Sequence, residues 1–353
     1  MVHSIAGMHF PGPKGHNPKG HHKMALLDHA GFSRRRLLLG AAMAATAVAS
    51  SSISVLAKAP MTNMPAPGYY RFKLGAFEAT VVSDGPLQMG PPQGDVYVGL
   101  SKDEMTKVLS DNFLPTDNVA FEQNALVINT GERLVLFDTG TGNVKMMGPD
   151  SGRLSANLKA AGIDPKDIDA VVLTHAHPDH CFGLTGDDGT HAFPNAQIYM
   201  TQADLEFWTD ESKGVNDFMK LMIDGARKRL LPQRDRIVFV KDGQEFLPGI
   251  EAMATPGHTV GHMAYVITSQ GKTLCNAGDI AHHPVLAVET PRREFTFDTD
   301  GKQAVASRVR TFEMLASSRT PLLAYHFPWP GIGHIGKQGD GFRYFSSPTR
   351  TVL

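Results

Sequence analysis

The chain has 353 residues, 42% of them apolar, which is enough to bury a large core in one or two domains. With 34 Lys and Arg against 35 Asp and Glu, the near-zero net charge excludes a polyanion-binding surface spread over the whole chain. Two cysteines, Cys181 and Cys275, exclude a disulfide scaffold and read as a pair of buried thiols.

The first thirty residues are rich in Gly, Pro, His and Lys and have no periodicity, so they read as disordered. Ser33-Arg34-Arg35-Arg36-Leu37-Leu38-Leu39 then opens an uncharged run of small and apolar residues that ends at Leu56. Adjacent arginines before a modest apolar region resemble a Tat signal, the address of proteins exported already folded. Val55-Leu56-Ala57 offers small residues for cleavage, and Met24 is an alternative start. A membrane anchor is the competing reading, because about 20 apolar residues span a bilayer. The run is rich in Ala and Ser and therefore only weakly hydrophobic. The expectation is a disordered N-terminus and Tat-type signal over 1–57, then one domain over 58–353. That domain would be periplasmic or secreted, with no stable membrane span after cleavage.

Residues 1–57 hold six of the basic residues but one of the acidic ones, leaving 28 against 34, a net charge of −6. A mildly acidic domain of this kind is a poor partner for nucleic acid. It keeps ten of the sixteen histidines.

In chain order, Tyr69–Val82 alternates and carries aromatic and β-branched residues, as strands do. Residues 101–113 read as a short helix. Residues 125–128 and 134–137 are apolar runs joined by Asn129-Thr130-Gly131-Glu132, a hairpin signal. Residues 154–161 are helical, and 170–173 form a buried strand. Further strands are expected at 197–200, 237–240, 263–268, 273–277 and 322–325, and helices at 202–209, 215–230 and 303–316. Such mixing of strands and helices predicts sheets covered by helices on their outer faces.

The strand at 170–173 runs straight into Thr174-His175-Ala176-His177-Pro178-Asp179-His180. Imidazole nitrogen and carboxylate oxygen together suit zinc and similar cations. His175 and His177, two apart where the strand has ended, would share one ion, while Asp179 and His180 point onward to a second. Pro178 argues against a helix through this segment. More candidate ligands directly follow apolar runs, where loops build sites on a rigid scaffold. These are the segment Thr255-Pro256-Gly257-His258-Thr259-Val260-Gly261-His262, then Asp279 after Gly278, and His326 after Tyr325.

The whole set resembles the metallo-β-lactamase superfamily, whose signature is HxHxDH, a distant His, an Asp and a final His. The resemblance implies an α+β fold, an αββα sandwich with the site along one edge. It implies that His175, His177 and His258 bind a first metal, that Asp179, His180 and His326 bind a second, and that Asp279 bridges them. The cofactor would be two divalent transition-metal ions, Zn2+ foremost, with Mn2+, Co2+ or Fe2+ as alternatives. Ala66-Pro67-Gly68-Tyr69-Tyr70-Arg71, Phe193-Pro194-Asn195-Ala196 and Pro330-Gly331-Ile332-Gly333-His334-Ile335 resemble methyl parathion hydrolase and its relatives, over about 66–345.

A hydroxide held between two metals would attack a carbonyl or phosphoryl centre, so no serine nucleophile is required. The expected activity is hydrolysis of an ester, lactone or phosphotriester, with a β-lactam hydrolase or a catalytically silent binding protein as alternatives. Flavodiiron members carry Glu where His177 stands. Ribonuclease members need basic surfaces that this domain lacks. Asp179 and His282 are the candidate catalytic residues beyond simple ligation. His282 stands three positions after Asp279, where some lactonases of the superfamily carry a tyrosine and the parathion hydrolases an apolar residue; its neighbour His283 is the alternative. Trp208, Phe182 and Phe327 are candidate pocket walls, with core packing as the competing reading of each. Asp138 would brace the site and His262 would be structural. The expected partners are a small ester, lactone or phosphotriester and the Tat export machinery, with a homodimer left open.

Overall fold

Alternation along the strands sorts their side chains into layers. A computed structural model of the chain describes residues 66–145 and 148–349, all within one compact unit. The expected signal over 1–57 lies outside the described residues. Among the described residues no helix is long and apolar enough to cross a membrane.

One seven-stranded sheet runs in the order β1 (Tyr69–Leu74), β2 (Phe77–Ser83), β5 (Asn124–Asn129), β6 (Leu134–Phe137), β7 (Ala170–Val172), β8 (Gln197–Met200) and β9 (Ile237–Phe239). Its last four strands are parallel. Between β2 and β5 in sequence, β3 (Leu87–Gln88) pairs with β4 (Ala120–Phe121) as a separate ribbon. A second seven-stranded sheet follows chain order, from β10 (Glu245–Leu247), β11 (Ile250–Ala254), β12 (Met263–Ser269) and β13 (Lys272–Asn276) to β14 (Leu322–Leu323), β15 (Ile332–Gln338) and β16 (Gly341–Ser346).

Leu126, Ile128, Val135, Phe137, Ala170 and Val172 face Ile250, Ala252, Tyr265, Ile267 and Leu323 in a core between the two sheets. Their sequence neighbours Ala125, Val127, Leu136 and Val171 face the opposite way. There they pack on α2 (Leu154–Ala160), α4 (Gln202–Thr209) and α5 (Asp217–Leu230). The outer face of the second sheet is covered by α1 (Lys102–Asp111) and α6 (Gly301–Ser318), through Met105, Leu109, Phe312 and Leu315. The result is the αββα sandwich.

Three expectations need correction. Residues 69–82 are two strands, because the chain reverses at Gly75, whose φ is +59° and whose absent Cβ would meet the Ser269 carbonyl oxygen at 2.1 Å. Pro178 does not exclude a helix: it opens a four-residue turn, α3 (Pro178–Cys181), at the first position, where no N–H is needed. The strands β3, β4, β10, β15 and β16 were not among those expected. Residues 332–338 contain two glycines and little alternation, and their pairing comes from the sheet edge they join. Both cysteines are free and buried, as expected.

Candidate metal centre

Five loops at one edge of the sandwich deliver the polar residues, each as its strand runs out. β6 leads to Asp138, β7 to His175, β11 to His258, β13 to Asp279 and β14 to His326. α3 turns the chain so that Asp179 and His180 follow His177 into the same space.

At the centre stands Asp279. Its Oδ2 lies 3.0 Å from His326 Nε2, 3.3 Å from His180 and His282 Nε2, 3.4 Å from His258 Nε2 and 3.7 Å from His175 Nε2. Possible ligand atoms gather in groups within 4.8 Å of one another: His175, His177 and His258 in one, Asp179, His180 and His326 in another, and Asp279 with His175 and His180. The structure thus brings together all seven residues named from the sequence. A fourth group, His258 with Asp279 and His282, adds an imidazole that the ligand pattern did not include.

The donors fit a pair of ions because so many are left without work. His175, His180 and His258 Nε2, Asp179 Oδ2 and Asp279 Oδ1 are buried and make no hydrogen bond. Orphaned buried donors cost about 1–3 kcal/mol each unless something binds them. The side chain of Asp179 is 12% exposed against 4% or less for His175, His180, His258, Asp279 and His326, so it is the most exposed of these six.

Burial, and then the neighbouring imidazoles, hold His175 and His177 well below the usual histidine range, so both are neutral. For His258 burial acts downward, but the Asp279 and Asp298 carboxylates outweigh it and lift the group to about 9. His180 is raised in the same way, against burial, by Asp279, Asp179 and Asp138, and His326 by Asp279 and Asp179. In the metal-free protein His180 and His258 therefore carry protons at pH 7, and His326 is shifted in the same direction. Ligation requires the neutral ring, so metal uptake near neutrality releases protons, and apparent affinity climbs as pH rises toward 9. Calorimetry in buffers of different ionisation heat should record a net release of more than one proton per chain.

A second layer fixes the rings. Asp138 braces the site, as expected: its Oδ2 lies 3.0 Å from His180 Nδ1, and Oδ1 accepts from Thr174 N at 2.8 Å. It does so at φ +60°, a conformation uncommon for a non-glycine residue. His262 is structural, as expected. Its Nε2 accepts the Asp279 N–H at 2.9 Å, while Nδ1 bonds Thr255 Oγ1 at 2.8 Å. Between them Gly278, at φ +52°, has no room for a Cβ, which would meet His262 Nε2 at 2.7 Å. His326 Nδ1 donates to the Glu122 carbonyl at 2.8 Å. Asp204, on α4 and unremarked in the sequence, ties two ligand loops together. It accepts from Ala176 N at 2.9 Å, Thr259 Oγ1 at 2.9 Å and Gly261 N at 2.7 Å.

His282 is the inward member of its pair. Its ring stacks on Phe295 at 4.1 Å and on His326 at 5.2 Å, and Nδ1 is buried without a partner. His283 instead turns into its own loop, where Nδ1 accepts the N–H groups of Val285 and Leu286. Trp208 is buried in the core with residues of α5, and its ring meets His177 edge-on at 4.8 Å. Phe182 and Phe327 are not pocket walls. The Phe182 ring packs where a side chain on Gly225 would stand, and Phe327, fully buried, meets Tyr344 edge-on at 4.9 Å. The aromatic rings beside His282 are Phe295 and Phe121, the latter 5.6 Å from His326 and 6.1 Å from His282. Neither has a local sequence signal, because each reaches the site from a loop or short strand with no ligand of its own.

With this geometry in view, comparison with known proteins is direct. Residues 119–323 match the metallo-beta-lactamase superfamily, and the chain belongs to it. Among curated relatives, an N-acyl homoserine lactonase of Bacillus sp is 27% identical over 121 residues, 34% of this chain and 41% of that protein. Another, from Bacillus cereus, is 24% identical over 157 residues, 42% of this chain and 56% of its own length. The chain thus spans about two fifths to just over half of these relatives. Two solved structures are matched almost end to end. A dizinc quorum-quenching lactonase, AidC, in complex with a product has TM-score 0.74 and 27% identity, covering 80% of this chain and 98% of its own. The hydrolase AbOPH of the beta lactamase superfamily has TM-score 0.75 and 27% identity, covering 81% and 100%. The chain is thus a member of this superfamily with lactonase-like relatives, and its grouped imidazoles and carboxylates could hold metal.

Proposed function

We propose that the protein is a dizinc lactonase that opens cyclic esters, with aryl esters as slower substrates. The observation that carries the proposal is the Asp279 carboxylate oxygen ringed by imidazole nitrogens, with His282 beside it as an imidazole outside the seven-ligand set. The lactonase relatives support the cyclic-ester part of the reading.

In this reading His175, His177 and His258 hold one ion, Asp179, His180 and His326 hold the other, and Asp279 is common to both. Two bound ions supply a water acidic enough to attack at neutral pH and positive charge to draw the carbonyl electrons. The chain's own groups do the rest. Asp138 and Asp298 orient imidazoles from behind. Asp179, the more open carboxylate, is placed to take the proton that the attacking water gives up. His282, in its neutral form because burial pushes it down to about 4, offers a ring N–H toward the developing oxyanion. Phe121 and Phe295 keep bulk water from that side of the site.

The test is a hydrolysis panel of lactones, aryl esters, phosphotriesters and cephalosporins. Lactones should give the highest kcat/KM, phosphotriesters a slow side reaction in keeping with the resemblance to methyl parathion hydrolases, and cephalosporins none. Cephalosporin turnover exceeding lactone turnover would replace the reading by a β-lactamase.

Export by the Tat route to the periplasm is part of the proposal and rests on Arg34, Arg35 and Arg36 before the uncharged run. Replacing all three by Lys should leave folded protein in the cytoplasm. Unchanged delivery to the periplasm would assign another route.

A further inference from the structure

One buried ion pair lies behind the first ligand group, and no sequence motif marks it. Asp298 has a fully buried side chain, and its Oδ1 stands 2.9 Å from His258 Nδ1. Arg308, on α6 and itself buried, places Nη2 3.5 Å from the other Asp298 oxygen. A charge pair taken out of water in this way costs several kcal/mol per ion unless its hydrogen bonds are complete.

Here they are nearly complete, and they all end on segments that build the site. Arg308 Nε donates at 2.7 Å to the carbonyl of Ile280, the residue after Asp279. Arg308 Nη1 donates to the carbonyls of Pro291 at 3.1 Å and Arg293 at 2.7 Å. Asp298 Oδ2 accepts the Phe295 N–H at 3.3 Å, which sets the ring that stacks on His282. The next two residues close the frame: Thr299 N donates to the His258 carbonyl at 2.9 Å and Asp300 N to that of Gly257 at 2.8 Å.

We propose that Asp298, gripped by Arg308, is the positioning carboxylate of the first metal group. It holds His258 with the proton on Nδ1, so that Nε2 is free to ligate, and it sets the aromatic wall beside His282. The second group has its own counterpart in Asp138 behind His180, but that carboxylate is met by the Thr174 hydroxyl and N–H rather than by a cation. Each ligand group therefore has one histidine backed by a carboxylate. The inference rests on the two-metal reading above.

The test is zinc and cobalt titration of the full chain in competition with a chromophoric chelator, on wild type and on Asp298→Asn. Asparagine keeps the size and one acceptor oxygen but not the charge. The wild type should bind two ions. Asp298→Asn should weaken one of them about 10–100-fold, the usual effect of removing such a support, and leave the other unchanged. His258→Ala identifies that ion, because both variants should lose the same part of the cobalt absorption spectrum. Arg308→Gln leaves the carboxylate in place without its grip, and should weaken the same ion by a smaller factor. It carries the test if Asp298→Asn fails to fold. Two ions held at wild-type affinity in the variants would overturn the proposal, and so would equal weakening of both in step with a lower melting temperature. Failure of the wild type to bind two ions would instead overturn the metal reading itself.

Discussion

Asp279→Ala yields protein that folds but binds neither ion at stoichiometric levels, and its hydrolytic rate falls by more than the roughly 10²-fold at the top of the range for an outer support. The expectation follows from position. One carboxylate oxygen lies within 3.7 Å of Nε2 of His175, His180, His258, His282 and His326, so no other side chain is shared by both ligand groups to the same degree. The same residue offsets the charge of His180, His258 and His326 in the metal-free protein, and those ions hold its carboxyl well below the usual carboxylate range despite burial. Without it the three imidazoles lose their main reason to be protonated. Metal content by atomic absorption, together with the rate on one lactone, checks the result. Loss of one ion with retention of the other would show that the groups do not share Asp279.

His282→Leu should leave both ions bound and lower kcat on lactones by at least roughly tenfold, the equivalent of ~1.4 kcal/mol. The ring is buried and stacked on Phe295, and Nδ1 has no partner. A ring fixed by stacking and poor in hydrogen bonds is pre-organised to donate to charge that develops in the transition state; losing such a donor elsewhere costs about 10²–10³ in kcat. Leucine is close in size to the imidazole, so the effect should be in kcat more than in stability. Phosphotriester turnover should survive or rise, since an apolar side chain then stands at this position as in the methyl parathion hydrolases. Two outcomes would contradict this role. Loss of an ion would make His282 a ligand, as its grouping with His258 and Asp279 permits. A wild-type rate here with a lowered rate in His283→Leu would move the role to the neighbour.

The ligands were legible because metal chemistry restricts residue type and the fold restricts place. HxHxDH followed an apolar strand, the segments holding His258, Asp279 and His326 each followed another, and the resemblance to the superfamily separated these seven candidates from neighbours such as His262. The sandwich was legible for a related reason: alternate positions in residues 125–128 and 170–172 pack on opposite layers, the period a strand predicts. What could not be read depends on contacts between segments far apart in sequence. Asp298 lies 40 residues from His258, and no spacing rule joins them. Phe327 adjoins His326 and Phe182 lies two residues after His180, yet the backbone turns both rings into the cores, because neighbours along a chain need not face the same way. Gly75 divided one alternating run into two strands, a break that alternation alone does not record. His282 over His283 was decided by the loop, whose N–H groups at Val285 and Leu286 claim the second imidazole.

The proposed reaction is hydrolysis through two bound metal ions held by the seven residues around Asp279. Its most direct test is metal content and lactone hydrolysis measured on the same purified sample, before and after exhaustive chelation and again after zinc is restored. Close to two ions per chain are expected, with activity lost with the metal and regained with zinc. Full hydrolysis by protein shown to be metal-free would contradict it.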